Sequence, residues 1–539
     1  MSSAGIEAPP QRLNLLAPEL KRWPAGAPII ELIDVHKRFG ELHLLRGVNL
    51  SVRAGETFII AGQSGSGKSV LLKMMNGLMS PDQGVVKLFG QPLHEMSAAA
   101  QITLRRRCTM VFQNYALIDS MTVAQNISFP LTQGSALSPE RVDQLVRELL
   151  ELLELPDTAQ LLPSSLSGGM KKRVALARAV ISNPEVVLFD EPTTGLDPVM
   201  IEFVDELIAK TQRLYGITSV LISHDMASNR RLADRMAILD EGQIVAQGSF
   251  EEVTHSEHPA VQAFMASAVT ERMGRAPRGE ERAFLEPAVS ALAEAPSAAR
   301  CLGLRKSFGE REILKGITLS IPKDKITVII GGSGSGKSVL VKHIIGLFQP
   351  TAGEVHVLGR DLSHGDKELL RTTQREVGVL FQGAALFDSM SVRDNLAFPL
   401  IEGRKMPPKQ AAPLVAEIAR KLSIDEILDR FPDEISNGER KRVGLARALI
   451  TRPKIMIYDE PTTGQDPIMM RKVDEMIVEA ASLFNMTSIV ISHDMGSAFK
   501  IADQIVMIYQ GELLACGSPE EVKACQDPRV QRFIYAGAK

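Results

Sequence analysis

Short, wholly apolar runs alternate along this chain with stretches in which apolar residues recur every three or four positions. The alternation is written twice. Thr57-Phe58-Ile59-Ile60 and Ile326-Thr327-Val328-Ile329-Ile330 are rich in β-branched residues and predict strands, and residues 70–75 and 339–344, which follow, predict helices. Further on, Val186-Val187-Leu188-Phe189 and Ile455-Met456-Ile457-Tyr458 are apolar on both faces, as strands of a parallel sheet covered by helices must be. Residues 174–179 predict a helix. One offset of 269 residues relates Phe39 to Phe308, Lys68 to Lys337, Gln113 to Gln382, Ser167 to Ser436, Asp190 to Asp459 and His224 to His493. So long a period is a domain duplication rather than a solenoid. The expected organisation is an extension over 1–28, an α/β domain over 29–268, a linker over 269–299 and a second α/β domain over 300–539.

The extension holds five prolines, a short leucine-bearing segment and Trp23, the only tryptophan. It reads either as a disordered tail or as a docking segment. The linker is rich in Ala, Pro, Glu and Arg, with one short helix expected around 280–285. With 45% hydrophobic and 23% charged residues, each half can bury a full core, and a net charge of -3 gives no electrostatic footprint for nucleic acid. Cys108, Cys301, Cys516 and Cys525 lack metal-ligand or redox spacing and read as reduced thiols. No apolar run reaches the roughly 18–20 residues that span a bilayer, and the first residues lack a signal-peptide pattern. A cytoplasmic chain is expected.

Between each first strand and its helix stands a glycine-rich turn: Gly62-Gln63-Ser64-Gly65-Ser66-Gly67-Lys68-Ser69, and Gly331-Gly332-Ser333-Gly334-Ser335-Gly336-Lys337-Ser338. In this context the pattern is a phosphate loop. The glycines let backbone N–H groups turn inward around an anion, and the helix N-terminus adds partial positive charge. Lys68 and Lys337 would reach the β/γ-phosphates, while the Ser69 and Ser338 hydroxyls would ligate Mg²⁺. The later strands end in Asp190-Glu191 and Asp459-Glu460, at the carboxyl edge where parallel sheets bind ligands. Asp190 and Asp459 would hold Mg²⁺, and Glu191 and Glu460 would orient and deprotonate an attacking water.

Leu166-Ser167-Gly168-Gly169-Met170-Lys171-Lys172-Arg173 precedes the predicted helix at 174–179. With it the chain resembles the ATP-binding cassette (ABC) superfamily, over nearly all of both halves. The resemblance implies two P-loop NTPase domains in tandem, each with a RecA-like core and a helical subdomain, binding ATP and Mg²⁺. It implies adenine stacking on Phe39 and Phe308, metal contacts from Gln113 and Gln382, and γ-phosphate contacts from His224 and His493. It also implies head-to-tail closure, each ATP lying between one domain's phosphate loop and the other's signature: Ser167, Gly168 and Gly169, or Ser436, Asn437 and Gly438. The second signature departs from the pattern, with Asn437 for Gly168 and Glu439 for Met170. Two unequal ATP sites are therefore expected, the one with Lys337, Asp459 and Glu460 being faster.

Leu380-Phe381-Gln382-Gly383-Ala384-Ala385-Leu386-Phe387-Asp388-Ser389-Met390, Gly464-Gln465-Asp466-Pro467 and the terminal Asp527-Pro528-Arg529 look like the ATPase subunits of Mce/Mla-type phospholipid transporters. Val111-Phe112-Gln113-Asn114-Tyr115-Ala116-Leu117-Ile118-Asp119-Ser120-Met121 fits as well. That resemblance implies a separate integral-membrane permease, an associated Mce-domain protein, a STAS-like accessory subunit, no nucleic acid partner, and a peripheral place on the cytoplasmic face of the inner membrane. Leu117, Ile118, Leu386 and Phe387 would either receive the permease or belong to the core. A tandem sugar-importer ATPase and a ribosome-associated translation ATPase are the alternatives; the short, near-neutral linker speaks against the second.

Overall fold

The computed structural model describes residues 23–113, 115–132, 137–268, 296–381 and 384–536. The chain forms two compact units, divided after Ala268. The leucines of the extension and the expected helix at 280–285 lie outside the described residues.

In the first unit the strands are β1 (Pro28–Phe39), β2 (Leu42–Arg53), β3 (Thr57–Ala61), β4 (Gln83–Leu88), β5 (Gln91–Pro92), β6 (Cys108–Val111), β7 (Val186–Asp190), β8 (Thr218–Ile222), β9 (Arg235–Asp240) and β10 (Gln243–Gly248). They form a four-stranded sheet in the order β2-β1-β4-β5 and a six-stranded sheet in the order β10-β9-β3-β8-β7-β6. In the larger sheet β3, β6, β7, β8 and β9 run parallel, with β10 antiparallel at one edge. All five residues of β3, β7 and β8 are buried, which is why these strands read as unbroken apolar runs.

The second unit repeats the plan. Its strands are β11 (Ser297–Phe308), β12 (Arg311–Pro322), β13 (Ile326–Ile330), β14 (Ala352–Val357), β15 (Arg360–Asp361), β16 (Val377–Leu380), β17 (Ile455–Asp459), β18 (Thr487–Ile491), β19 (Gln504–Tyr509) and β20 (Glu512–Gly517). The sheets read β12-β11-β14-β15 and β16-β17-β18-β13-β19-β20. Even the register is preserved at the 269-residue offset: Thr57 pairs with Ser219, and Ile326 with Ser488.

Two cores flank each large sheet. In the first unit, Phe58, Ile60, Leu71 and Leu72 pack against the β1–β2 side, while Ile59, Val187 and Leu221 pack with the helices Val123–Thr132, Pro139–Leu152 and Gly168–Val180. Burying one such Leu or Ile contributes roughly 1.5–3 kcal/mol.

Three boundaries differ from expectation. The helix expected at 174–179 begins at Gly168, because Ser167 caps it by accepting the Met170 N–H at 3.3 Å. The signature is thus the first turn of the helix rather than a loop before it. The second domain starts within the expected linker, β11 beginning at Ser297. Trp23, assigned to the extension, is anchored: its indole N–H donates to Pro28 O at 2.9 Å, its ring meets the Phe89 edge at 5.9 Å, and its amide donates to Glu185 at 2.7 Å.

Candidate active sites

In each unit the first central strand delivers the chain into the glycine loop. Gly62 has φ +142°, and a Cβ there would lie 2.0 Å from the Leu239 carbonyl oxygen; Gly331 has φ +145°, with Ile508 O at 2.1 Å. Gly67 (φ +104°) opens the helix Lys68–Met75 with no side-chain cap, leaving the first amides of that helix to whatever the loop encloses. Inside the loop Lys68 Nζ donates to Gly62 O at 2.9 Å and Gln63 O at 2.6 Å. Lys337 repeats this with Gly331 O and Gly332 O at 2.8 and 3.0 Å. Burial pushes the Lys337 ammonium down to about 8, against the pull of Glu460. Both lysines thus rest on carbonyls of their own loop, and among the described residues the buried hydroxyls of Ser66 and Ser335 have no hydrogen-bond partner. The loop therefore fits a phosphate.

Ser69 Oγ donates to Asp190 Oδ1 at 2.9 Å, so the two side chains assigned to Mg²⁺ stand together. Burial raises the Asp190 carboxyl, and the Glu191 charge adds to this, while Ser69, Lys73 and Lys68 pull it back. A hydroxyl and a carboxylate in contact are hard oxygen donors of the kind Mg²⁺ takes.

Glu191 is the hub. It adopts φ +51° at the end of β7, with its amide bonded to Ile222 O of β8 at 3.2 Å. His224 Nε2 lies 2.8 Å from Oε1; Gln113 Nε2 and Thr194 Oγ1 each donate to Oε2 at 2.9 Å. An ionised carboxylate only accepts, so Nε2 carries the histidine proton. Burial alone would raise the Glu191 carboxyl, but the bonds from His224 and Thr194 and the charge of Lys68 hold it below its ordinary value. Glu460 matches it: φ +49°, His493 Nε2 at 2.7 Å and Thr463 Oγ1 at 3.2 Å, with its carboxyl lowered by the same balance.

Gln113 therefore reaches Glu191 rather than the Ser69–Asp190 pair, and Gln382 lies outside the described residues. Phe39 and Phe308 stand at the tips of the β1–β2 and β11–β12 hairpins, each 46% exposed, as a stacking surface must be. The hairpin reaches the glycine loop, since a Cβ on Gly67 would meet Leu45 Cδ2 at 2.8 Å. In the second signature Ser436 differs from Ser167. Glu439 Oε2 takes both the Ser436 amide (2.8 Å) and its hydroxyl (2.7 Å), a capping box that commits the hydroxyl proton. These bonds hold the Glu439 carboxyl below its ordinary value.

Sequence reasoning missed several supporting residues. Thr194 and Thr463 bind the carboxylate hubs. Lys172, pushed down to about 7 by burial, donates to Thr194 O at 2.5 Å, and Lys441 donates to Pro461 O. Arg178 grips the carbonyls of Tyr115 and Ala116 at 2.7 and 2.6 Å, two residues with positive φ just beyond Gln113; Arg447 does the same at Ala384 and Ala385. Their available signal was identity between the halves, as in Pro192-Thr193-Thr194-Gly195 and Pro461-Thr462-Thr463-Gly464.

The ABC transporter family profile matches residues 45–194 and 314–463, which hold these loops, hubs and signatures. This chain belongs to the ABC transporter family. Its two cassettes bind ATP with Mg²⁺ and hydrolyse ATP, and the chain is an ATP-binding subunit of an ABC transporter. An uncharacterized ABC transporter ATP-binding protein of Methanocaldococcus jannaschii, MJ1242, is 29% identical over 537 residues, covering 92% of this chain and 96% of its own. The methionine import ATP-binding protein MetN of Brucella abortus is 35% identical over 63% of this chain and 93% of its own. The glutathione import ATP-binding protein GsiA of Shigella boydii is 28% identical over 91% and 86%. Among solved structures, the dimeric cassette MJ0796 bound to ADP and Pi is 33% identical, with a TM-score of 0.39 over 41% of this chain and 98% of that one.

Proposed function

We propose that this chain powers a separate membrane permease, with Glu191 and Glu460 as the general bases of ATP hydrolysis. The observation that carries the catalytic part is the hub geometry: a carboxylate kept ionised by burial-shielded hydrogen bonds, on a strained residue at the carboxyl edge of the sheet. Glu191 and Glu460 accept the proton of the attacking water; His224 and His493 orient them and stand ready to donate toward the γ-phosphate. Lys68 and Lys337 exchange their carbonyl contacts for phosphate oxygens. Ser69 with Asp190, and Ser338 with Asp459, would hold Mg²⁺, which when bound neutralises charge on the β- and γ-phosphates.

The permease is a separate polypeptide in this reading, since among the described residues no helix is long and apolar enough to cross a membrane. Its docking surface is the segment after Gln113 and Gln382. Leu117 and Leu386 pack against the core there, whereas Phe387 is 40% exposed, so the apolar residues divide between the two roles. The chain then lies on the cytoplasmic face of the inner membrane.

For the cargo we propose a phospholipid or related hydrophobic molecule moved by an Mce/Mla-type complex, with a Mce-domain protein and a STAS-like subunit as partners. Support comes from the stretches 380–390, 111–121 and 464–467. Import of a small solute is the second reading, favoured by the MetN and GsiA relatives. Purifying the tagged chain from native membranes in mild detergent separates them. Co-purification of a permease with a Mce-domain protein is expected. A permease with a soluble-solute receptor would contradict the lipid reading, and ribosomal proteins without a membrane subunit would contradict both.

A further inference from the structure

The two units share one backbone plan, and they differ most informatively beside the exposed phenylalanine at each hairpin tip. In the second unit the Phe308 ring meets Phe348 edge-on, with centroids 5.4 Å apart at 70°. Phe348 is itself backed by the buried His343 ring at 5.9 Å, whose Nδ1 lies 2.7 Å from Val339 O. Lys306 Nζ sits 5.2 Å from the Phe308 centroid and 5.6 Å from that of Phe348, and Lys342 Nζ sits 5.4 Å from Phe348.

At the 269-residue offset the first unit has Met79 for Phe348 and Met74 for His343. The backbone is the same, since Met79 N bonds Lys73 O as Phe348 N bonds Lys342 O. Lys37 lies 5.7 Å from the Phe39 centroid, but its charge is committed to Asp82 at 2.8 Å. Thr351 stands in the place of Asp82, so Lys306 Nζ keeps the carbonyl contact, to Gln349 O at 2.7 Å, that Lys37 makes to Ser80 O at 3.0 Å, but without the carboxylate. One unit therefore offers a ring braced by a second ring beside an ammonium with no carboxylate partner among the described residues. The other offers a ring with no aromatic neighbour among them, beside a neutralised lysine.

We infer that Phe348, with Lys306, makes the second unit the tighter nucleotide site. This rests on the reading that Phe308 stacks on the base. Phe348 is a positioning residue: its edge contact fixes the Phe308 plane, so less conformational freedom is lost when a purine stacks on it. Lys306 adds positive charge beside that face, favouring a nucleoside triphosphate. In the first unit Met79 stands in place of the aromatic brace, and the charge of Lys37 is offset by Asp82.

The test uses the full chain with one phosphate loop disabled, so that each site is read alone. In the Lys68→Ala background, Phe348→Met is expected to weaken Mg-ATP binding about three- to tenfold, the size of one aromatic edge contact. Tripolyphosphate, which has no base, should bind unchanged. In the Lys337→Ala background, Met79→Phe should strengthen ATP binding by a similar factor. Equal weakening of ATP and tripolyphosphate by Phe348→Met would overturn the inference, because Phe348 would then be only structural. Unchanged ATP binding in Phe348→Met, with a loss in Phe308→Ala, would overturn it while leaving base stacking in place. No loss in Phe308→Ala would overturn the stacking reading itself.

Discussion

At Gly62 and Gly331 a methyl group would collide with a backbone carbonyl about 2 Å away, whereas at Gly65 (φ +82°) and Gly334 (φ +78°) nothing lies within 4 Å. The same loop thus holds two kinds of glycine. Gly62→Ala must displace β9 at Leu239 and should cost about 1–3 kcal/mol of stability together with ATP binding. Gly65→Ala meets only the left-handed penalty of about 1–2 kcal/mol. Chemical denaturation of both variants checks this ordering, and a Gly65→Ala loss as large as that of Gly62→Ala would contradict it. The side chains gathered around the glycine loop were legible in sequence at this scale: the loop glycines, Lys68, Ser69, Asp190, Glu191 and His224. Thr194, Lys172 and Arg178 were not, because each acts through a carbonyl or carboxylate that only the folded chain brings near.

Among the elements, the helix Pro198–Tyr215 is pinned to the helix Met226–Leu232, which directly follows His224. Asp205 on the first accepts from Ser228 Oγ at 2.7 Å and from Arg231 Nη2 at 2.5 Å on the second, and Asp225 caps the latter by taking the Ser228 N–H at 2.8 Å. The second unit repeats the contact with Asp474 and Ser497. Burial pushes the Asp205 carboxyl up to about 6, with Asp225 adding to the rise, against Arg231 and Ser228. A carboxyl whose pKa is raised on folding binds protons more tightly in the native state, so its contribution is full near pH 4 and lost as pH rises to about 6. Asp205→Asn should therefore gain stability relative to the parent across that window, by about 2–3 kcal/mol. Urea denaturation at pH 4.5 and 7 measures it; a pH-independent difference would contradict the assignment. Strand positions were legible because burial on both faces leaves an unbroken apolar run. Helix starts were less so, since Gly168 and Gly169 carry no apolar signal and the start is set by the Ser167 cap.

Over the whole molecule, the duplication keeps the strand register, the carboxylate hubs and the phosphate-loop pattern, while the hairpin-tip surroundings and the second signature are among the places where the halves differ. The fold and the duplicated machinery were visible in sequence because a phosphate loop and a buried strand end in local patterns. The extent of each domain was not: Trp23 joins its unit through Glu185, far along the chain, and Ser297 by pairing with Pro322 of the next strand. Glu439, which stands where the first signature has Met170, takes the Ser436 hydroxyl proton, a difference between the two signatures that only the folded chain displays.

The most direct measurement is steady-state ATP turnover of the purified chain as Glu191→Gln, Glu460→Gln and the double variant. The double variant should lose at least about 100-fold, as expected when general bases are removed, with Glu460→Gln the more damaging single change. Near-parental turnover in the double variant would contradict the assignment of these two carboxylates as the bases, and equal single losses would contradict the inequality of the sites.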